Sequence, residues 1–222
     1  MPKKSSIALF IAATSALSIS SSVNSGENDM GGLKEWNTDM SIDADFVLDK
    51  DAKIAAEMMC DKHIVKMIIE TNQILSCVID KCGTEGRSIE LELAQYPKAH
   101  AKHPCTLWAM ESFYNAKWLV THLKYIEKEY AKRYPRKTHK LDGNHAIYDR
   151  EIDDCAFAEE LVMTPFAQAM PDPYKVEDDA VAAYRKYYLM DKGNFAVWKL
   201  ETPQWFINGR EAMLNVLNKM AA

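Results

Sequence analysis

The chain has 222 residues, 48% hydrophobic and 27% charged, which suits one globular domain with an adequate core. Its formal net charge of −5 does not advertise a polyanion partner, but residues 1–50 hold four Lys against seven Asp and Glu, so the remainder is close to balanced. Five cysteines, odd in number and without CxxC or zinc-finger spacing, argue against a disulfide framework and for a reducing compartment with buried thiols.

Residues 1–26 lack any acid, and Lys3 and Lys4 precede a Ser- and Thr-broken apolar stretch, Ile7 to Ile19. That is the outline of a secretory or organelle-targeting segment, too short and polar for a transmembrane span. A mis-assigned start, with Met40 as the internal alternative, gives the same pattern. Residues 27–44 read as a flexible linker, which leaves 45–222 as the folded domain.

Asp45 to Asp49 is a short strand or an extended lead-in. A long helix is then predicted from Asp51 to about Ile79, ending near Gly83, a suitable C-cap. At 100° per residue its apolar side chains cover most of the circumference, and Lys62, His63, Lys66, Glu70 and Gln73 share the remaining arc. A helix apolar nearly all round lies inside a domain, so this stripe must face a partner, a cavity or a cleft. Glu70 is a general acid/base candidate, with His63 beside it. Lys66 and Glu70 are equally an i,i+4 ion pair, and spacing does not separate the two readings.

Residues 83–103 are expected to be irregular apart from a turn near Ile89 to Ala94. Pro104 opens a second long helix, running to about Tyr134 and stopped by Pro135. Ahead of it, Lys98, His100, Lys102 and His103 suit an anion at a helix N-terminus better than a metal, for which no acidic ligand has a diagnostic spacing, and a solvated basic turn explains them equally well. Behind it lies the basic run Lys132 to Lys140, whose Arg133, Arg136, Lys137 and Lys140 are phosphate candidates, or simply a solvated helix end. Further helices are predicted over about Ala146–Leu161, Val176–Met190 and Gly209–Met220, with a proline-rich ordered loop at Thr164–Tyr174. In the run Tyr184 to Tyr188, Arg185, Lys186 and Tyr187 are candidates for stacking and phosphate contact, while Tyr184 and Tyr188 have core spacing. The expected architecture is mainly α, an irregular single-domain fold built on two long antiparallel helices. GxSxG, a phosphate-binding glycine loop and HExxH are all absent, which excludes the serine hydrolase, P-loop and zincin classes.

Asp61-Lys62-His63-Ile64 with Glu70 seven residues beyond His63 resembles the corresponding helix of the phage pyrimidine-dimer DNA glycosylases (endonuclease V type). Tyr184 to Tyr188 is similar to the aromatic segment near that family's C-terminus. Residues 46–205 also resemble a group of phage and marine-virus proteins that share Cys-Asp-Lys-His-x-x-Lys-Met, Lys-His-Pro, Pro-Phe-x-Gln-Ala-Met-Pro and Tyr-Arg-x-Tyr-Tyr. The resemblance implies a DNA glycosylase/AP lyase acting on damaged pyrimidines in double-stranded DNA, without a cofactor, through an imine between an amine and C1′. It implies Glu70 as the proton-handling group and His63 as an orienting one. Lys62, Lys66 and the 132–140 run would neutralise backbone charge. Where the glycosylases carry Arg immediately before and three residues after the Glu, this chain has Ile69 and Gln73. Their nucleophile is a processed N-terminal amine; here trimming near Ser41, or a desolvated Lys50 or Lys53, would have to supply one. The implied location is the cytoplasm of an infected host cell, or an organelle if residues 1–26 act as a targeting segment. Two other readings remain open: an inert viral nucleic-acid- or nucleotide-binding protein, and a hydrolase holding a metal on His100 and His103.

Overall fold

The fold follows from where the backbone can satisfy its own hydrogen bonds and where other parts of the chain must do so. The computed structural model describes residues 47–83, 88, 91, 92, 101–157 and 162–221, all within one unit, Ser41–Ala222. The targeting-like segment, the linker, Phe46, Lys98 and His100 lie outside the described residues. Among the described residues the protein is helical and has no strand, and residues 47–50 form an irregular lead-in.

The predicted first helix is two. Helix α1, Ala52–Met58, starts where Asp51 accepts from the N–H groups of Lys53 and Ile54, at 2.8 and 3.0 Å. Helix α2, Asp61–Cys82, follows after Met59 and Cys60 turn extended. No Gly or Pro marks this break; tertiary partners hold it open. Arg133 donates to the carbonyls of Glu57 and Met59, the Trp198 indole donates to Met58, Cys60 N–H donates to the Tyr188 hydroxyl and Asp61 N–H to the Val197 carbonyl. At the far end, Gly83 is required by close approach: a Cβ there would stand 2.4 Å from the Ile79 carbonyl oxygen.

The second predicted helix is also interrupted. Helices α3, Pro104–Glu111, and α4, Phe113–Arg133, meet at extended Ser112, whose hydroxyl caps Asn115 N–H at 3.1 Å. Asn115 is buried and fastens this kink, donating to the Trp108 carbonyl and the Thr164 hydroxyl and accepting from Thr164 N–H. Pro104 does open α3, and α4 does stop before Pro135. Helix α5, Asn144–Asp153, ends earlier than predicted because the chain turns back and Ala156 N–H bonds the Cys82 carbonyl at 2.8 Å. Residues 158–161 of the predicted helix lie outside the described residues.

Asp172–Tyr174 forms a 3-10 turn in the proline-rich loop. Helix α6, Ala180–Tyr187, is capped by Asp179 and continues into a π turn, Tyr188–Lys192. The last helix, α7, Gln204–Ala221, starts a turn and a half before the predicted Gly209. That glycine is a packing position: a Cβ on it would lie 2.5 Å from a Leu189 methyl.

Helix α2 packs against α3, α4 and α5, and α4 also covers α1. Leu75, Ile68, Leu123 and Ile126 meet in one core with Tyr148, Tyr184 and Tyr188. All five cysteines are free, and Cys60, Cys77 and Cys105 are buried. No described helix is long and apolar enough to cross a membrane.

His122 joins α4 to α1. Its Nδ1 lies 2.8 Å from the Ala52 carbonyl and its ring stacks on Trp118. Complete burial lowers its pKa to about 4, so it folds neutral. The unfolded chain binds a proton near pH 6.5, so this contribution is complete above that pH and is lost as pH falls toward 4. Stability should therefore drop by about 1.4 kcal/mol per pH unit across that window through this one group. Urea unfolding between pH 7 and 4 should show a shallower acid loss in a His122→Gln variant than in the parent chain.

Candidate functional site

Helix α2 buries His63 and Glu70 of its polar stripe, while Lys66 and Gln73 are half-buried and Lys62 is exposed. His63 is buried, with Nδ1 2.7 Å from the Tyr188 hydroxyl, which also accepts Cys60 N–H. Burial pushes the Tyr188 phenol well above its ordinary range, so it stays protonated. Phe195 closes against the His63 edge, with ring centroids 5.6 Å apart. One turn on, Lys66 Nζ lies 3.0 Å from Glu70 Oε1; their side chains are 18% and 3% exposed. The ion pair anticipated from spacing is thus formed, and it holds a buried carboxylate at a partly open edge. Lys62 is exposed, its ammonium 4.4 Å over the Phe195 ring.

A cleft of about 530 Å³ has no residue of α2 in its lining. His103 and Pro104 line it from the start of α3, and Gln168 to Pro171 from the proline-rich loop. Lys175, Tyr187, Asp191 and Lys192 close it on the side of α6 and the π turn. Three sequence motifs far apart in the chain therefore meet at one cavity: Lys-His-Pro, Pro-Phe-x-Gln-Ala-Met-Pro and Tyr-Arg-x-Tyr-Tyr. Its walls are fixed. Gln168 bonds both the N–H and the carbonyl of Val176, at 3.0 and 2.6 Å. Buried Tyr184 donates to the Ala167 carbonyl and accepts from Ala169 N–H. His103 caps α3 by accepting from Cys105 N–H at 3.2 Å.

The predicted cations separate into two groups. Arg136, Lys137 and Lys140 are exposed after α4, and Lys102 is exposed before α3. Arg133 corrects the sequence reading: its side chain is 1% exposed and engages Glu129 and Asp61, both at 3.1 Å, besides the two carbonyls of the helix break. A guanidinium so placed is unavailable to phosphate. Arg185 is also largely committed, donating to the Leu48 carbonyl at 2.8 Å and to Asp49, with Trp205 beneath it. Lys186 is exposed and donates to the Pro173 carbonyl, and Tyr187 lines the cleft against Tyr174. Lys50 and Lys53 are exposed rather than desolvated, Lys53 pairing with Glu57 at 3.9 Å.

Sequence reasoning missed Gln168, Lys175, Asp191, Lys192 and Lys199. Gln168 stood inside a motif already singled out. Lys199 lies 3.8 Å over the Tyr134 ring, on the same segment as Phe195 and Val197, which contact Lys62 and Asp61. That segment brings Lys199 to the end of α4, where the exposed basic run begins. Among the described residues no cluster of three or more His, Cys, Asp or Glu side chains is placed to hold a metal.

The stretch that carries α1, α2, α3 and α4 has a known counterpart. Residues 46–142 match the pyrimidine dimer DNA glycosylase family. The match covers a little under half of the chain and includes His63, Glu70, His103 and the basic run, so the distant resemblance read at α2 is present. No curated protein and no solved structure matches the chain.

Arg133→Ala should cost about 3–5 kcal/mol, because it leaves the carbonyls of the break unsatisfied and leaves buried Glu129 with Lys132 alone. Denaturant titration measures this, and Arg136→Ala should shift the midpoint by less than about 0.5 kcal/mol equivalent.

Proposed function

We propose that this chain is a DNA glycosylase of the pyrimidine-dimer type with AP-lyase activity on double-stranded DNA. The observation that carries the reading is the family match over 46–142, which includes the helix holding a buried Glu70. The domain also has a cleft whose volume of about 530 Å³ falls within the usual ~300–1,000 Å³ range of small-ligand sites. Lys62, Lys199, Arg136, Lys137 and Lys140 supply exposed positive charge for the DNA backbone. An amine attacks C1′ of the damaged nucleotide, the base leaves, and the opened sugar is held as an imine while Glu70 moves protons on it. His63, fixed by Tyr188, sets the position of the α2 edge.

The second reading is a nucleic-acid-binding protein without catalysis. The Lys66–Glu70 distance of 3.0 Å favours it, since an ion pair explains the buried carboxylate without any reaction.

Glu70→Gln decides between them. On the glycosylase reading the variant keeps its fold and loses cleavage of ultraviolet-damaged and abasic duplexes by about 100-fold or more. On the binding reading it loses about 3–5 kcal/mol of stability instead, while cleavage is absent from the parent chain too. Melting curves beside a nicking assay give both numbers.

Phosphate contact is tested with salt. Replacing both Arg136 and Lys137 by Ala should flatten the slope of log affinity against log salt by about 2. Arg133→Ala, measured on the folded fraction, should leave that slope unchanged.

A further inference from the structure

Resting on the reading of this chain as a binder of duplex DNA, we propose that Lys124, Lys128 and His145 form a second row of contacts to the DNA backbone, beside the exposed basic run that follows α4. The first observation is how α4 sorts its charge. Phe113–Arg133 holds two acids, Glu127 and Glu129, and both are buried. Lys124, Lys128 and Lys132 are exposed. Spaced by four residues, they share one side of the helix over about 12 Å, the length of roughly three to four base-pair steps of about 3.4 Å. Lys132 pairs with Glu129 at 2.6 Å, and Lys128 stands 5.0 Å over the Tyr125 ring. A solvated helix face usually mixes the two signs and pairs them at i,i+4. This one carries no exposed acid, so its local field is positive although the chain is net negative.

His145 is the second observation. The turn after the basic run folds back on α4: Asp142 N–H bonds the His139 carbonyl at 3.0 Å, and Gly143, at φ 86°, leads into α5. The N–H groups of Gly143 and His145 reach Glu127 at 3.1 and 3.4 Å, and His145 Nδ1 lies 2.5 Å from the same carboxyl. Burial pushes the Glu127 carboxyl up, and the His145 and Gly143 donors work against that rise. The imidazole is thus fixed through Nδ1. Its other nitrogen, Nε2, makes no hydrogen bond among the described residues, and the side chain is 26% exposed.

A clamp on the turn needs only the Nδ1 side. Nε2 is left as a donor held in place before any ligand arrives, so a phosphate oxygen would gain a charge-assisted bond at little ordering cost. An imidazolium between carboxylate and phosphate gives both of its N–H groups to oxygen. Glu127 lies one turn beyond Lys124 and next to Lys128, so it holds His145 at the edge of the lysine row. Asp142 is the exposed acid of the turn, outnumbered by exposed Arg136, Lys137 and Lys140.

The test is duplex affinity against salt for the 1–222 chain and two variants, with melting curves to confirm each fold. His145→Asn keeps a donor where Nδ1 stands and deletes the Nε2 side. It should flatten the slope of log affinity against log salt by about 1, and Lys124→Gln with Lys128→Gln by about 2. A role in holding the turn alone would change melting and leave the slope as it is. An unchanged slope in either folded variant overturns the contact for the residues it carries, and leaves the duplex-binding reading in place if the parent binds. A parent chain without duplex affinity at low salt overturns both. Flattened slopes in a parent that binds and never nicks support the second row and retire catalysis. If His145→Asn fails to fold, carbethoxylation of the parent by diethyl pyrocarbonate decides for His145. Mass mapping should show Nε2 modified in the free chain and protected severalfold by saturating duplex, and equal modification overturns the contact.

Discussion

The break between α1 and α2 is the constraint on which the site depends. Extending Met59 and Cys60 inside the domain removes backbone groups from the helix ladder, and each one left unsatisfied would cost about 1–3 kcal/mol. Their partners come from Arg133 at the end of α4, Tyr188 in the π turn, and Val197 and Trp198 in the segment beyond it. Satisfying those groups fixes three distant parts of the chain against the start of α2. The same hydroxyl that accepts Cys60 N–H holds His63, so backbone repair and placement of the stripe are one arrangement. The π turn that supplies Tyr188 also places Tyr187 and Lys192 on the cleft.

Charge is sorted by the same geometry. A chain with net charge −5 presents positive potential locally when its acids are neutralised inside or placed elsewhere. Glu129 is buried against Arg133, and Glu70 against Lys66. Arg136, Lys137 and Lys140 remain outside, and Lys199 is held next to them on Tyr134. Affinity for a polyanion would therefore come from a small exposed set, although the basic run looks longer in sequence.

The helices were legible wherever local chemistry set them: Asp51 as a cap, Pro104 as a start, Pro135 as a stop, and the buried character of α2. The breaks were not. Ser112 carries a capping hydroxyl but sits in an otherwise unbroken apolar pattern, and Met59-Cys60 has no local signal, because its partners lie up to about 140 residues away. Gly209 misled, since its missing side chain serves Leu189 rather than a helix boundary. The stripe on α2 was readable because 3.6-residue periodicity is a backbone property. The place of Lys192 on the cleft was not, because a π turn changes that period.

The family match and the cleft do not coincide, and the mismatch bears on how the chain works. Residues 46–142 hold His63, Glu70 and the basic run, but within the cleft only His103 and Pro104. Gln168, Lys175, Tyr187, Asp191 and Lys192 come from beyond the matched stretch. The family helix supplies the buried carboxylate, and a later part of the chain supplies most of the cleft. The departures at Ile69 and Gln73 fit such a division. The cations of the cleft, Lys175 and Lys192, therefore come from outside the family stretch, whereas Lys62 and the exposed part of the basic run lie within it.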